Sequence, residues 1–124
     1  MTMAKRILLV DDSKTALMME QMLLDGEPYE LLVAMDGQEA VDKALADPPD
    51  LILMDVVMPR MNGFEAVERL RADDSTRDIP IIMVTTRGEG ENVERGYAAG
   101  CTDYVTKPID GAELIAKIKT YLGE

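Results

Sequence analysis

Ile7-Leu8-Leu9-Val10, running into Asp11-Asp12, and Ile81-Ile82-Met83-Val84, running into Thr85, carry an apolar side chain at every position. A strand with one solvated face alternates polar and apolar residues. Uninterrupted runs therefore belong to strands buried on both faces, as in a parallel sheet covered by helices. Outward from these two runs the chain repeats one pattern: residues 6–10 precede a helical pattern over 13–24, 30–34 precede 37–46, 51–54 precede 63–72, 81–84 precede 91–99, and 103–105 precede 112–122. Five strand–helix units without an internal repeat or long linker predict a doubly wound α/β domain over residues 1–124. Asp12 or Ser13 is placed to cap the first helix, and Gly26 and Gly100 stand where left-handed helix ends cost little. In that first helix the spacing of Ala16, Met19 and Leu23, with Leu24 beside them, predicts the stripe facing the sheet and leaves Met18 and Met22 off it.

Composition narrows the chemistry. Against 13 basic side chains the chain has 24 acidic ones, a formal charge of -11. So negative a surface repels phosphate backbones and anionic lipid headgroups, which argues against direct nucleic-acid or membrane binding. The single cysteine, Cys101, can form neither an internal disulfide nor a thiolate metal cluster, and it fits a reducing cytoplasm. Residues 1–6 lead into an apolar run far too short to span a bilayer. There is no histidine, which removes the commonest general base, the Ser-His-Asp arrangement and most zinc sites. Chemistry must rest on carboxylates, hydroxyls and lysine.

Those groups gather at strand carboxyl ends: Asp11-Asp12 after the first strand, Asp55 after the third, Thr85 after the fourth and Lys107 after the fifth. In open α/β sheets the ligand crevice lies at these ends, so the five residues are expected in one pocket. Three carboxylates at about 5 Å repel by on the order of 3 kcal/mol per pair at an effective dielectric of about 20. Lys107 offsets part of this, and a hard divalent cation with oxygen ligands, Mg²⁺, would offset the rest. A carboxylate between Mg²⁺ and a lysine is equipped to attack a phosphoryl group, which makes Asp55 the expected nucleophile. Singly, each residue has an ordinary reading: Asp11-Asp12 as a helix cap, Thr85 as a strand end, Lys107 as a solvated charge, Tyr104 as a half-buried core residue. Their convergence is what points to chemistry.

The segment Met54-Asp55-Val56-Val57-Met58-Pro59-Arg60-Met61-Asn62-Gly63, with Asp11-Asp12 upstream and Thr85 and Lys107-Pro108 downstream, closely resembles the receiver domains of bacterial two-component response regulators, including the single-domain chemotaxis type. The resemblance implies a flavodoxin-like fold with a five-stranded parallel sheet in order 2-1-3-4-5. It implies that Asp11, Asp12, Asp55 and the main-chain carbonyl of Val57 hold Mg²⁺. It also implies that Asp55 accepts a phosphoryl group from a histidine kinase or phosphotransfer protein, that Lys107 pairs with that group, and that Thr85 hydrogen-bonds it. Tyr104 matches the aromatic position that turns inward when that bond forms, and Lys107-Pro108 matches a bond usually cis in the family. Such domains are regulatory, acting on their own phosphorylation and dephosphorylation only.

Three positions depart from or vary within that pattern and bear on rate. Thr86 stands where Ala or Gly is commoner and narrows access to the phosphoryl site. Val57 cannot position an attacking water, and Arg87 is placed to shield the phosphoryl group or pair with an acidic neighbour. An aspartate-nucleophile phosphatase on a similar fold is the rival reading, but it requires a second carboxylate two residues after the nucleophile, where this chain has Val57. A receiver acting only as an unphosphorylated scaffold would lack part of the pocket. The chain ends near the end of its fifth helix, which suits a stand-alone regulator or a receiver from a longer protein, monomeric or dimerising on phosphorylation. Met18 and Met22, four residues apart, are expected to form an apolar patch that docks the histidine-bearing partner, against the alternative that they cover a neighbouring helix.

Overall fold

The computed structural model describes residues 4–86 and 90–124. In chain order they form β1 (Lys5–Val10), α1 (Lys14–Leu23), β2 (Tyr29–Ala34), α2 (Gly37–Ala46), β3 (Leu51–Asp55), α3 (Gly63–Ala72), β4 (Ile81–Thr86), α4 (Gly90–Ala99), β5 (Asp103–Lys107) and α5 (Gly111–Leu122). The strands make one sheet in the order β2-β1-β3-β4-β5, with every pairing parallel.

The continuous apolar runs divide, residue by residue, between two cores. Leu8, Val10, Ile52, Met54, Ile81 and Met83 face the layer that includes Val41, Phe64 and Leu70 from α2 and α3. Their neighbours Ile7, Leu9, Leu51, Leu53, Ile82 and Val84 face Leu17, Leu24, Leu114 and Ile118 on the α1 and α5 side. The two-residue period of a strand thus feeds both layers from one apolar run.

Helix ends follow local chemistry. Ser13, rather than Asp12, caps α1, its hydroxyl accepting from the Ala16 amide. Asn62 and Glu65 form a reciprocal capping box at α3, and the Asp110 carboxylate accepts from the Ala112 and Glu113 amides at α5. Gly100 closes α4 at φ 116°, a left-handed conformation that a side chain resists. Gly26, at φ 91°, lies beyond the α1 cap residue Leu24, in the turn that follows.

The stripe expected on α1 is rotated. Leu17, Glu20 and Leu24 are its inward positions, whereas Met19 is 60% exposed and Ala16 and Leu23 are only half-buried. The three inward residues keep the spacing i, i+3, i+7. Hydropathy alone placed the stripe one residue too early because one of its members is a glutamate.

Candidate phosphoacceptor site

β1 delivers Asp11 to the mouth of the sheet. Its amide bonds to the Ala34 carbonyl at 3.1 Å, extending the β1–β2 ladder by one residue. Its Oδ1 accepts from the Ser13 amide at 2.9 Å, which ties the carboxylate to the turn into α1. Asp12 follows, exposed. β3 ends on Asp55, whose neighbour across the sheet is Val84, so Thr85 lies one residue further along β4. β5 ends on Lys107, paired in register with Thr86. Asp55 and Lys107 are the closing residues of their strands and Thr85 the last but one of β4, so the sheet's own hydrogen bonds position all three.

The Lys107 ammonium lies 3.4 Å from Asp11 Oδ2 and 3.4 Å from Asp55 Oδ1, between the two buried carboxylates. Burial pulls its pKa down, but Asp55 and Asp11 outweigh burial and hold it above the ordinary lysine value. Asp55 is pushed up to about 6, by burial first and by Asp11 second, against the lowering pull of Lys107. One lysine therefore does not neutralise the site. Asp11, Asp12 and Asp55 bring one carboxylate oxygen each to within 4.8 Å of one another. Three hard oxygen donors with excess negative charge fit a divalent cation of the Mg²⁺ kind. The Thr85 hydroxyl is buried with no hydrogen-bond partner among the described residues. Buried hydroxyls are rarely left in that state, so this one has a donor to offer a group bound in the pocket.

Gly63 fixes the backbone around the acceptor. A Cβ there would lie 2.2 Å from the Asp55 carbonyl oxygen, so α3 approaches β3 as closely as only glycine permits. The Gly63 amide bonds to the Val56 carbonyl at 2.9 Å, and the Gly37 amide to Met61 at 3.1 Å, which ties the loop after Asp55 to α2. Val57 projects from this loop, 72% exposed. Thr86 is exposed at the rim, and Arg87 lies outside the described residues. The Lys107–Pro108 bond is cis.

Tyr104 is half-buried against the core on the α2–α4 side, its ring edge-on to Tyr97 with centroids 6.2 Å apart. Beside it is a cluster that sequence reading missed. The Asp103 carboxylate accepts from the Tyr121 hydroxyl at 2.7 Å, the Tyr104 amide at 2.7 Å, the Lys117 ammonium at 3.3 Å and the Tyr97 hydroxyl at 3.4 Å. Burial would raise its pKa, but the hydrogen bonds from Tyr121, Tyr104 and Lys117 outweigh that and lower it. Glu20 was also missed. It is 2% exposed, its Oε1 has no partner among the described residues, and its pKa is pushed up to about 8, by burial first and then by Asp11, with Lys107 pulling the other way. Met18 and Met22 are 61% and 69% exposed and do not cover a neighbouring helix.

Comparison with known proteins agrees with this geometry. The family model described as "Response regulator receiver domain" matches residues 7–119. The response regulator PleD of Caulobacter vibrioides is 40% identical over 119 residues, covering 95% of this chain and 26% of PleD, so the chain spans about a quarter of that relative. Protein PilH of Pseudomonas aeruginosa is 39% identical, covering 94% of this chain and 97% of PilH. The crystal structure of the receiver domain of the P. aeruginosa sensor histidine kinase PA1611, with a magnesium ion coordinated in its active site cleft, superposes with a TM-score of 0.91 at 31% identity, covering 98% of this chain and 100% of that one. Among the described residues no helix is long and apolar enough to cross a membrane. With the sheet order, the acidic cluster beside a strand-end lysine and a sequence match running from Ile7 to Lys119, the chain belongs to the response regulator receiver domains of two-component systems.

Proposed function

We propose that this chain is a phosphorylation-driven switch in which Asp55 accepts a phosphoryl group from the phosphohistidine of a kinase or phosphotransfer protein in the cytoplasm. The observation that carries the reading is the Lys107 ammonium shared at 3.4 Å by Asp11 and Asp55, beside a buried Thr85 hydroxyl without a partner among the described residues. Asp11, Asp12 and Asp55, with the Val57 main-chain carbonyl, would hold Mg²⁺, which supplies charge neutralisation on the transferred oxygens. An Asp55 carboxylate oxygen attacks phosphorus as the bond from phosphorus to the donor histidine nitrogen breaks, and the electron pair stays on that nitrogen. Lys107 pairs with a phosphoryl oxygen, and the Thr85 hydroxyl donates to another.

Drawing Thr85 inward opens room for the Tyr104 ring, so two local states become unequally populated and the face made of α4, β5 and α5 changes its affinity for a target or a second copy. Thr86, Val57 and Arg87 set access to the acyl phosphate and its lifetime. Exposed Met18 and Met22 dock the phosphohistidine-bearing partner through apolar contact.

Acetyl phosphate with Mg²⁺ is expected to add one hydroxylamine-sensitive phosphoryl group to the wild type and none to Asp55→Asn. Undiminished labelling of the variant would refute the assignment. Replacing both Met18 and Met22 with lysine should slow transfer from a phosphohistidine donor while leaving labelling by acetyl phosphate and the unfolding midpoint nearly unchanged.

A further inference from the structure

Asp103 opens the strand that Lys107 closes, so it stands at the far end of β5 from the phosphoacceptor pocket. Its carboxylate ties three elements together. Tyr97 reaches it from α4 at 3.4 Å, Lys117 and Tyr121 reach it from α5 at 3.3 and 2.7 Å, and the adjoining Tyr104 amide donates to it at 2.7 Å. The bond from Tyr121 is the first cause of that phenol's rise to about 12, so the phenol remains a donor at neutral pH.

What these groups surround is the Tyr104 side chain. The Lys117 ammonium that pairs with Asp103 also donates to the Tyr104 carbonyl at 2.6 Å and stands 5.2 Å from the centre of the Tyr104 ring. The Tyr97 ring lies perpendicular to it, with centroids 6.2 Å apart. A cation over the ring and an edge-to-face partner are both attractive, and one carboxylate holds the side chains that supply them. Tyr104 pairs in register with Met83, so its ring lies on the face of the sheet that also carries Thr85, two residues further along β4. A ring that follows the Thr85 hydroxyl inward must leave the ammonium and the Tyr97 ring, and those contacts weigh against the move.

We infer that Asp103 is a positioning residue of the switch: through Lys117 and Tyr97 it holds the Tyr104 ring in its present place, and so sets how far the unphosphorylated chain populates the phosphorylated conformation. The inference rests on the proposed function, in which Tyr104 turns as Thr85 is drawn to the phosphoryl group. Apparent affinity for a ligand scales with the fraction of chains already in the conformation that binds it. A residue that holds the ring back therefore weakens binding at Asp55 from the other end of the sheet, and binding at Asp55 loosens the cluster in return.

The test uses beryllofluoride with saturating Mg²⁺ as a stand-in for the phosphoryl group on Asp55. Tyrosine rings labelled with ¹³C report Tyr104 by NMR, its signal assigned by its loss in Tyr104→Phe. Asp103→Asn keeps the size of the side chain and removes its charge. Its Tyr104 signal is expected part-way to the beryllofluoride position before any is added. Its apparent dissociation constant for beryllofluoride should lie about fivefold below that of the wild type, the effect of losing one cation–π contact at a partly exposed ring. Lys117→Met keeps the stem, removes the ammonium and should tighten binding to a similar extent. The sign in that variant is decisive, because charge acting alone across the domain would tighten an anion's binding when an anion is removed and weaken it when a cation is removed. Opposite shifts in the two variants would overturn the inference. So would an unchanged constant in Asp103→Asn, or an equal gain in a Tyr104→Ala background, where no ring is left to hold. A wild-type Tyr104 signal that ignores beryllofluoride would overturn the switch reading and this inference together. A signal that responds in the wild type, but starts from the same position in Asp103→Asn, would overturn this inference alone.

Discussion

Replacing Glu20 with glutamine keeps the shape of the side chain and removes its ionisation, so the pH dependence of stability reads this one group. Its pKa is raised from 4.5 to about 8, by burial first and then by Asp11, with Lys107 opposing and Asp55 adding to the rise. Because the folded-state value lies above the unfolded one, the stability linked to this proton is complete below the unfolded value and is lost as pH rises through the folded one. Asp55, raised to about 6, has the same sign, so both groups contribute below that pH. Between about pH 6 and pH 8 Glu20 dominates: the folded chain keeps a proton that the unfolded chain has released, and stability falls by about 1.4 kcal/mol per pH unit. Over that window the loss is about 2–3 kcal/mol, a substantial part of what a domain of this size has. Urea unfolding followed by far-ultraviolet circular dichroism, with EDTA present and at a series of pH values, measures it directly. The wild type should weaken steadily across the window while Glu20→Gln stays nearly level and is the more stable protein at the alkaline end. Parallel pH profiles in the two proteins would refute the argument, since the slope would then belong to another group.

Gly63→Ala places a Cβ 2.2 Å from the Asp55 carbonyl oxygen, a backbone atom that cannot step aside; it should cost about 3 kcal/mol in unfolding experiments and impair phosphoryl labelling by displacing the acceptor. Thr85→Val exchanges a buried hydroxyl without a partner among the described residues for a methyl, so the unphosphorylated protein should gain about 1 kcal/mol while its beryllofluoride-induced NMR shifts near Tyr104 are lost. Arg71→Met keeps the stem of a guanidinium that donates to the Gly100, Arg77 and Ile79 carbonyls at 2.8, 2.9 and 2.7 Å; calorimetry should show a loss of about 3 kcal/mol with labelling of Asp55 retained.

The strands and helices were legible because continuous apolar runs and helical spacing are local signals. α2 and α3 have the ends read from the sequence, and the other helices differ by a residue at their starts or, for α1, at both ends. The site residues were legible because each lies within two residues of a strand's carboxyl end. What escaped was polar burial. Glu20 sits at an inward position of α1 between Leu17 and Leu24, and hydropathy assigns such a residue to solvent. The clue was present in the spacing of Leu17 and Leu24, which frames position 20. Asp103 escaped for another reason: its four donors come from positions 97, 104, 117 and 121, which only the packing of α4, β5 and α5 brings together.

α4 meets the rest of the fold unlike its neighbours. Its one buried residue is Gly96, where an added Cβ would come within 3.2 Å of Met83 Sδ and Cys101 Sγ, while Arg71 grips the Gly100 carbonyl beyond its end. A helix seated by a glycine and held from behind by another element's arginine asks little of its own outer side chains. Glu91, Glu94 and Ala98 are exposed, and substitution at such positions ordinarily shifts stability by less than about 0.5 kcal/mol. Under the proposed function, in which α4 belongs to the output face, that surface can be rewritten with little effect on the pocket around Asp55. On that reading the exposed positions of α4 are where an engineer would redirect this chain to a chosen output.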